Sequence, residues 1–182
     1  YDISSDNFVI GFVGRMVGDK GIVELVQAFT ILYSSDNQLR LLLIGPLEER
    51  DAVPSEIVEK IKNHPGIIHA GLVESGMPEY YSLMNLFVLP THREGLGVAL
   101  LEAQAMEIPV LTTSHTGAKD ALKAGVTGEY IDMTPESIIN AVNKYLDNPD
   151  IVHRQGIEGR RFVSENFAEE NIWQEIEKLY RS

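Results

Sequence analysis

The sequence contains no cysteine. That excludes disulfides, thiolate nucleophiles and cysteine-bound metals, and it fits a reducing compartment. Long apolar runs are also missing. Stretches such as VALL at 98–101 are far too short to span a bilayer, so no membrane insertion is expected. Positive charge is scarce: 15 Lys and Arg stand against 27 Asp and Glu, for a formal net charge of −12. A chain this acidic repels nucleic acid and anionic membrane surfaces alike, so no nucleic-acid partner is expected. An anion can bind it only where a local arrangement opposes the global field. The glycines at 14, 18 and 21 do not have the G-x-G-x-x-G spacing of a dinucleotide fold, and no Gly-Lys-Ser/Thr follows to make a phosphate loop. There is no Asp-x-Asp, and the histidines at 64, 69, 92, 115 and 153 lack metal-ligand spacing. No metal is expected.

What is present fits one domain. The length of 182 residues is at the upper end for a single core, and 44% apolar content can fill it. The opening YDISSDNF has neither an initiator Met nor the basic and apolar regions of a signal peptide, and reads as a piece of something longer. Short β-branched and aliphatic runs alternate with helical periodicity. Strands are expected at 8–14, 39–45, 66–71, 86–90, 109–113 and 127–131. Helices are expected at 21–33, 55–63, 77–84, from about 98, near 118–123, and at 135–147, 150–165 and 169–180, with Ser55 as a cap. Near-continuous apolar strands separated by helices predict a parallel sheet covered on both faces. The expected class is therefore α/β: a three-layer, doubly wound, Rossmann-like domain with about six strands, binding ligands at the carboxyl ends of its strands.

The residues just after each strand carry the chemistry in such a fold. Behind the first strand lie Gly14, Arg15 and Lys20. Two cations there either neutralise a diphosphate or remain solvated, as most Lys and Arg do. Behind the fourth lies THREGLG, where Gly95 and Gly97 permit close backbone approach and the helix N-terminus offers unpaired N–H groups to an anion. That helix carries Glu102, eight positions after Glu94. At roughly 100° per residue, Val98, Ala99, Ala105 and Met106 fall within about 60° of Glu102, while Gln104 and Glu107 fall on the other side. Glu102 is thus expected in the middle of a buried apolar face. It then needs an internal cation, a route to water, or a ligand bearing hydroxyls. His92 and His115 each follow a strand and are candidates for the same crevice, and Lys119 is either a third cation or exposed. The acidic EERD at 48–51 is read as solvated.

FVGRMVGDKGIVELVQAF, LLLIGP, LFVLPTHREGLGVALLEAQAMEIPVLTT and AGVTGEYI occur in this order over almost the whole chain. Together they resemble the donor-binding half of the retaining glycosyltransferases of family 4, one half of a GT-B architecture, with LLLIGPLEERD and TTSHTGAKDALKAGVTG most like the capsular and cell-wall polysaccharide enzymes. The resemblance implies a nucleotide-sugar co-substrate, UDP-linked, and no metal. It implies that Arg15 and Lys20 hold the diphosphate, with Gly14 beside them, and that Glu94 accepts from the sugar hydroxyls. It further implies that the amides around Gly95, Leu96, Gly97 and Val98 cap the phosphates and that Glu102 accepts from the ribose diol. Catalysis is then carried by Arg15, Lys20 and Glu94. The implied partner is an N-terminal acceptor-binding domain of the same protein, lying outside these residues, which makes 1–182 a single C-terminal domain. The implied location is cytoplasmic, at the inner membrane face through that other domain. The SHTGAKD loop departs from the family's paired glycines and Glu, leaving its contacts open.

Two other classes remain on the sequence alone. A regulatory, receiver-like module would need an acidic cluster behind the first strand, where Gly14 and Arg15 stand instead. A nucleotide-sugar epimerase shares the fold pair, and fold does not set function. The aromatics Phe167 and Trp173 of the last helices are read as core anchors or as contacts to another domain.

Overall fold

Strand β1 (Phe8–Val13) buries its four inner residues, and β2 (Leu39–Ile44) and β4 (Leu86–Leu89) are buried almost end to end. Successive strand residues point to opposite faces, so burial of neighbours requires cover on both sides of the sheet. The computed structural model, which describes residues 3–48, 52–115 and 117–168, supplies that cover with helices. Strands β3 (Ile67–Gly71), β5 (Val110–Thr112) and β6 (Gly128–Tyr130) complete a six-stranded sheet of order β3-β2-β1-β4-β5-β6. Every pairing is parallel. The order reverses between β1 and β4, where Ile10 lies beside Leu86. This is the doubly wound topology expected from the sequence, and its crevice opens at that reversal.

Helix α1 (Ile22–Ser35) follows β1, α2 (Ser55–Asn63) follows β2, and α3 (Met77–Tyr81) follows β3. Helix α4 (Val98–Ala105) follows β4, with a short 3-10 helix, Ala118–Ala121, after β5. Helices α5 (Pro135–Leu146) and α6 (Pro149–Asn166) follow β6 and pack on α1 and α4 respectively. Local chemistry matches most boundaries. Thr134 caps α5 by accepting from the Ser137 amide at 3.2 Å. Ser55, expected as a cap, is instead the first helical residue behind Pro54. The expected helix at 169–180, and Trp173 with it, lies outside the described residues. Phe167 is half-buried with its ring 5.6 Å from that of Phe162 and packs against the core. No helix among the described residues is long and apolar enough to cross a membrane.

Helix α4 departs from the expectation. Its buried residues are Leu100, Leu101, Ala103 and Gln104, and Glu102 is exposed. The face inferred from the helical wheel is inverted. The reason lies in α6, which has no Cβ at Gly156 or Gly159 and so lies against the end of α4. A Cβ at Gly156 would sit 2.1 Å from the Glu107 carbonyl oxygen, and one at Gly159 would sit 3.2 Å from Gln104 Cγ. Gln104, at 0% exposure, donates through Nε2 to the carbonyls of Leu100 (2.9 Å) and Ala121 (2.7 Å). Ala, Val and Leu occur all round this helix, so apolar character could not orient it.

Gly156→Ala gains helix propensity but drives a methyl into backbone, and a net loss of about 1–2 kcal/mol is expected in urea unfolding. His64 packs against α1, its ring 5.5 Å from that of Phe29 and 4.7 Å from that of Tyr33, and its Nδ1 accepts from the Gly66 amide at 3.2 Å. Burial first, then the Lys60 charge, holds its pKa below the ordinary imidazole value. A depressed folded pKa means that stability is present above the unfolded value and lost as pH falls through the folded one. Between about pH 7.5 and pH 5.5, around the ordinary His value, the urea midpoint of wild type should fall more than that of His64→Gln.

Candidate functional site

The loops leaving β1 and β4 are stitched together at the reversal. The Asp19 carbonyl accepts from the His92 amide at 2.8 Å, and the Thr91 hydroxyl, which donates to the Arg93 carbonyl at 2.7 Å, lies 3.2 Å from it. Lys20, at the end of a short 3-10 helix (Gly18–Lys20), reaches across to the β4 loop. Its Nζ donates to the Arg93 carbonyl at 3.0 Å and to Glu94 Oε2 at 2.6 Å. The loop after β5 joins them, since the Thr113 hydroxyl donates to the Thr91 carbonyl. Gly117 then packs flat on the β4 loop. With φ at +87°, a Cβ there would meet the carbonyl oxygens of Glu94 and Gly95, each at 2.1 Å. Three loops distant in sequence therefore fix the position of Glu94.

Each residue singled out from the sequence has a place in this arrangement. Lys20 and Glu94, with side chains 18% and 20% exposed, form a half-buried ion pair. Arg15 behaves differently: its side chain is 65% exposed and leans toward Glu48, at 3.8 Å. The remaining residues of the EERD run lie outside the described residues. Gly14 closes β1, its amide donating to the Ile44 carbonyl at 2.9 Å. Gly97 opens α4 in the left-handed region (φ 67°), and no described side chain caps the first turn. Leu96 and Val98 are exposed on either side of it, and Gly95 has open space where a Cβ would stand. The Leu100 and Leu101 amides donate to the Gly97 carbonyl, whereas those of Val98 and Ala99 have no partner among the described residues, as at any helix start that an anion could complete. His92 and His115 come together, ring centroids 6.0 Å apart, both exposed at the rim. Lys119 is exposed. No group of three or more His, Asp or Glu among the described residues could hold a metal ion.

Glu102 stands on the open face of α4, with its Oε2 accepting from the Tyr81 hydroxyl at 2.7 Å. The acid therefore has an internal partner that is neither a cation nor a ligand. The sequence carried no signal for Tyr81, because it lies on another helix and 21 positions away. Burial, then the hydrogen bond and charge of Glu102, push the Tyr81 pKa well above the usual phenol value, so it remains a donor. Thr91 and Thr113, which tie the loops, were equally invisible before the topology was known.

A family model described as "Glycosyl transferases group 1" matches residues 1–162. The chain belongs to the group 1 glycosyltransferases. It is 37% identical over 183 residues to the capsular polysaccharide biosynthesis glycosyltransferase CapM of Staphylococcus aureus, covering 100% of this chain and 48% of that protein. Among solved structures it resembles Anabaena HepE in complex with UDP, with a TM-score of 0.86 at 21% identity over 97% of this chain and 49% of that one. It also resembles the C-terminal domain of a group 1 glycosyltransferase, LpcC, from Francisella tularensis. There the TM-score is 0.81 at 21% identity, covering 89% of this chain and 87% of that one. The chain spans about half the length of the curated relatives it matches. In this group 1 glycosyltransferase chain, Gly117 leaves no room for a side chain against the Glu94 and Gly95 carbonyls. Gly117→Ala is expected to lower stability by about 2 kcal/mol or to displace the Glu94 loop. Thermal melts together with amide shifts of residues 93–97 distinguish it from a silent substitution.

Proposed function

We propose that this chain is the donor-binding, C-terminal domain of a retaining glycosyltransferase of polysaccharide biosynthesis, taking a UDP-sugar without a metal ion. The observation that carries the reading is the Lys20–Glu94 ion pair beside the uncapped start of α4 at the reversal of the sheet, with Glu102 on the exposed face of the same helix. The CapM relative supports the polysaccharide class, UDP in HepE supports the nucleotide, and the LpcC domain supports the C-terminal place. The diphosphate competes with Glu94 for Lys20, and Arg15, already exposed, closes on it from the opposite rim. Backbone amides at Gly97 and Val98 add neutral donors, so the anion needs no net positive charge on the domain. Released from Lys20, Glu94 accepts from hydroxyls of the donor sugar. Glu102 accepts from the ribose, since a carboxylate pairs well with two neighbouring hydroxyls.

In the transfer, the bond from the anomeric carbon to the β-phosphate oxygen breaks, and a bond from that carbon to the acceptor oxygen forms on the same face. The acceptor proton passes to the departing phosphate oxygen. Lys20, Arg15 and the α4 amides stabilise the charge gathering on the diphosphate, which makes fixed electrostatics the main catalytic term. An N-terminal domain of the same protein, facing this crevice from the cytoplasmic side of a membrane, supplies the acceptor.

Calorimetric titration of UDP, GDP and ADP into this chain tests the donor reading. UDP is expected to bind, and Arg15→Ala and Glu102→Ala should each weaken it about tenfold, the scale of one charge-assisted hydrogen bond. A folded chain that binds none of the three nucleotides overturns it.

A further inference from the structure

Tyr81 is 2% exposed, and its ring centroid lies 6.1 Å from that of Phe87 in β4, so its ring is anchored in the core. Only its hydroxyl points outward, to Glu102 Oε2 at 2.7 Å, with the Ala99 carbonyl as a more distant acceptor at 3.4 Å. Glu102 itself is exposed. An exposed glutamate samples several rotamers, and a ligand must select one of them, which weakens binding. Here a rigid phenol removes that freedom beforehand and engages one oxygen. The other, Oε1, accepts no hydrogen bond from the described residues and is left for a ligand.

We propose that Tyr81 is a positioning residue that holds the Glu102 carboxylate in the orientation that receives the ribose diol of the nucleotide. The inference rests on the donor-site reading above and adds to it the origin of the site's preference for a ribose. Tyr81 touches no substrate. It acts through Glu102, by denying that side chain its other rotamers and by leaving the base, phosphate and sugar contacts untouched. Its effect is therefore confined to ligands that carry the two ribose hydroxyls. A hydroxyl with a merely structural role would affect all nucleotides equally or not at all.

The experiment is calorimetry on the 182-residue chain with UDP and with its 2′,3′-dideoxy analogue. Tyr81→Phe, which keeps the ring, is expected to weaken UDP about three- to tenfold, as expected for one hydrogen bond to a charged group acting indirectly. The dideoxy analogue should bind it as it binds wild type, and Glu102→Gln should abolish the preference between the two. Equal weakening of both ligands in Tyr81→Phe, or no change in either, overturns the positioning role while leaving the donor site standing. Failure of wild type to bind UDP at all sinks the donor reading and this inference with it. Should Tyr81→Phe fail to fold, 3-fluorotyrosine at position 81 preserves the packing and alters donor strength. It is expected to change UDP affinity alone, and an equal change for both ligands refutes the inference.

Discussion

Strands β1 and β4 lie side by side where the chain reverses its direction across the sheet, and their loops are joined there by the Asp19 carbonyl and the Lys20–Glu94 pair. That junction decides the rest of the crevice. Because the His92 amide donates to the Asp19 carbonyl and the Lys20 ammonium to the Arg93 carbonyl, the β4 loop is tied to the β1 loop, and Glu94 meets the ammonium of Lys20. Gly117 and Thr113 brace the same loop from the β5 side. A loop held at three points keeps a carboxylate in place without a regular element beneath it, the preorganisation that electrostatic catalysis depends on.

The charge balance is consistent with this arrangement. A domain of net charge −12 presents a repulsive field to any anion. The proposed function therefore has the anion held by short-range features: an ammonium, an exposed guanidinium and the N–H groups of a helix that begins without a side-chain cap. The Lys20–Glu94 pair also lets two half-buried charges compensate each other, since burying either one alone would be unfavourable. The same local logic applies to the two acids. Glu94 is bound to a cation that a phosphate can claim, whereas Glu102 is bound to a neutral phenol and retains one oxygen for other donors.

Helix α4 shows where sequence patterns lose their force. Small and apolar residues surround it, so its wheel admits two orientations, and the one centred on Glu102 is not the buried one. Only α6, drawn close by Gly156 and Gly159, shows that Leu100 and Gln104 face inward while Val98 and Glu102 stay exposed. The inversion also spares Glu102 the cost of an unpaired buried charge. Its carboxylate was never buried, and water or a ligand reaches it freely.

The sequence by itself determined the strands and most helices, because a parallel sheet covered on both faces needs continuous apolar runs, and glycine or proline closes them. It also determined which residues could face the crevice, since those following β1 and β4 have to emerge at the carboxyl edge of the sheet. Only the tertiary structure decided what each of them meets: Lys20 with Glu94, Arg15 beside Glu48, Glu102 with Tyr81, and His92 near His115. Lys20 and Glu94 are 74 positions apart, and Tyr81 and Glu102 are 21 apart. Hydrogen bonds and ion pairs act over a few ångströms, and those distances exist only after the sheet has set its strand order.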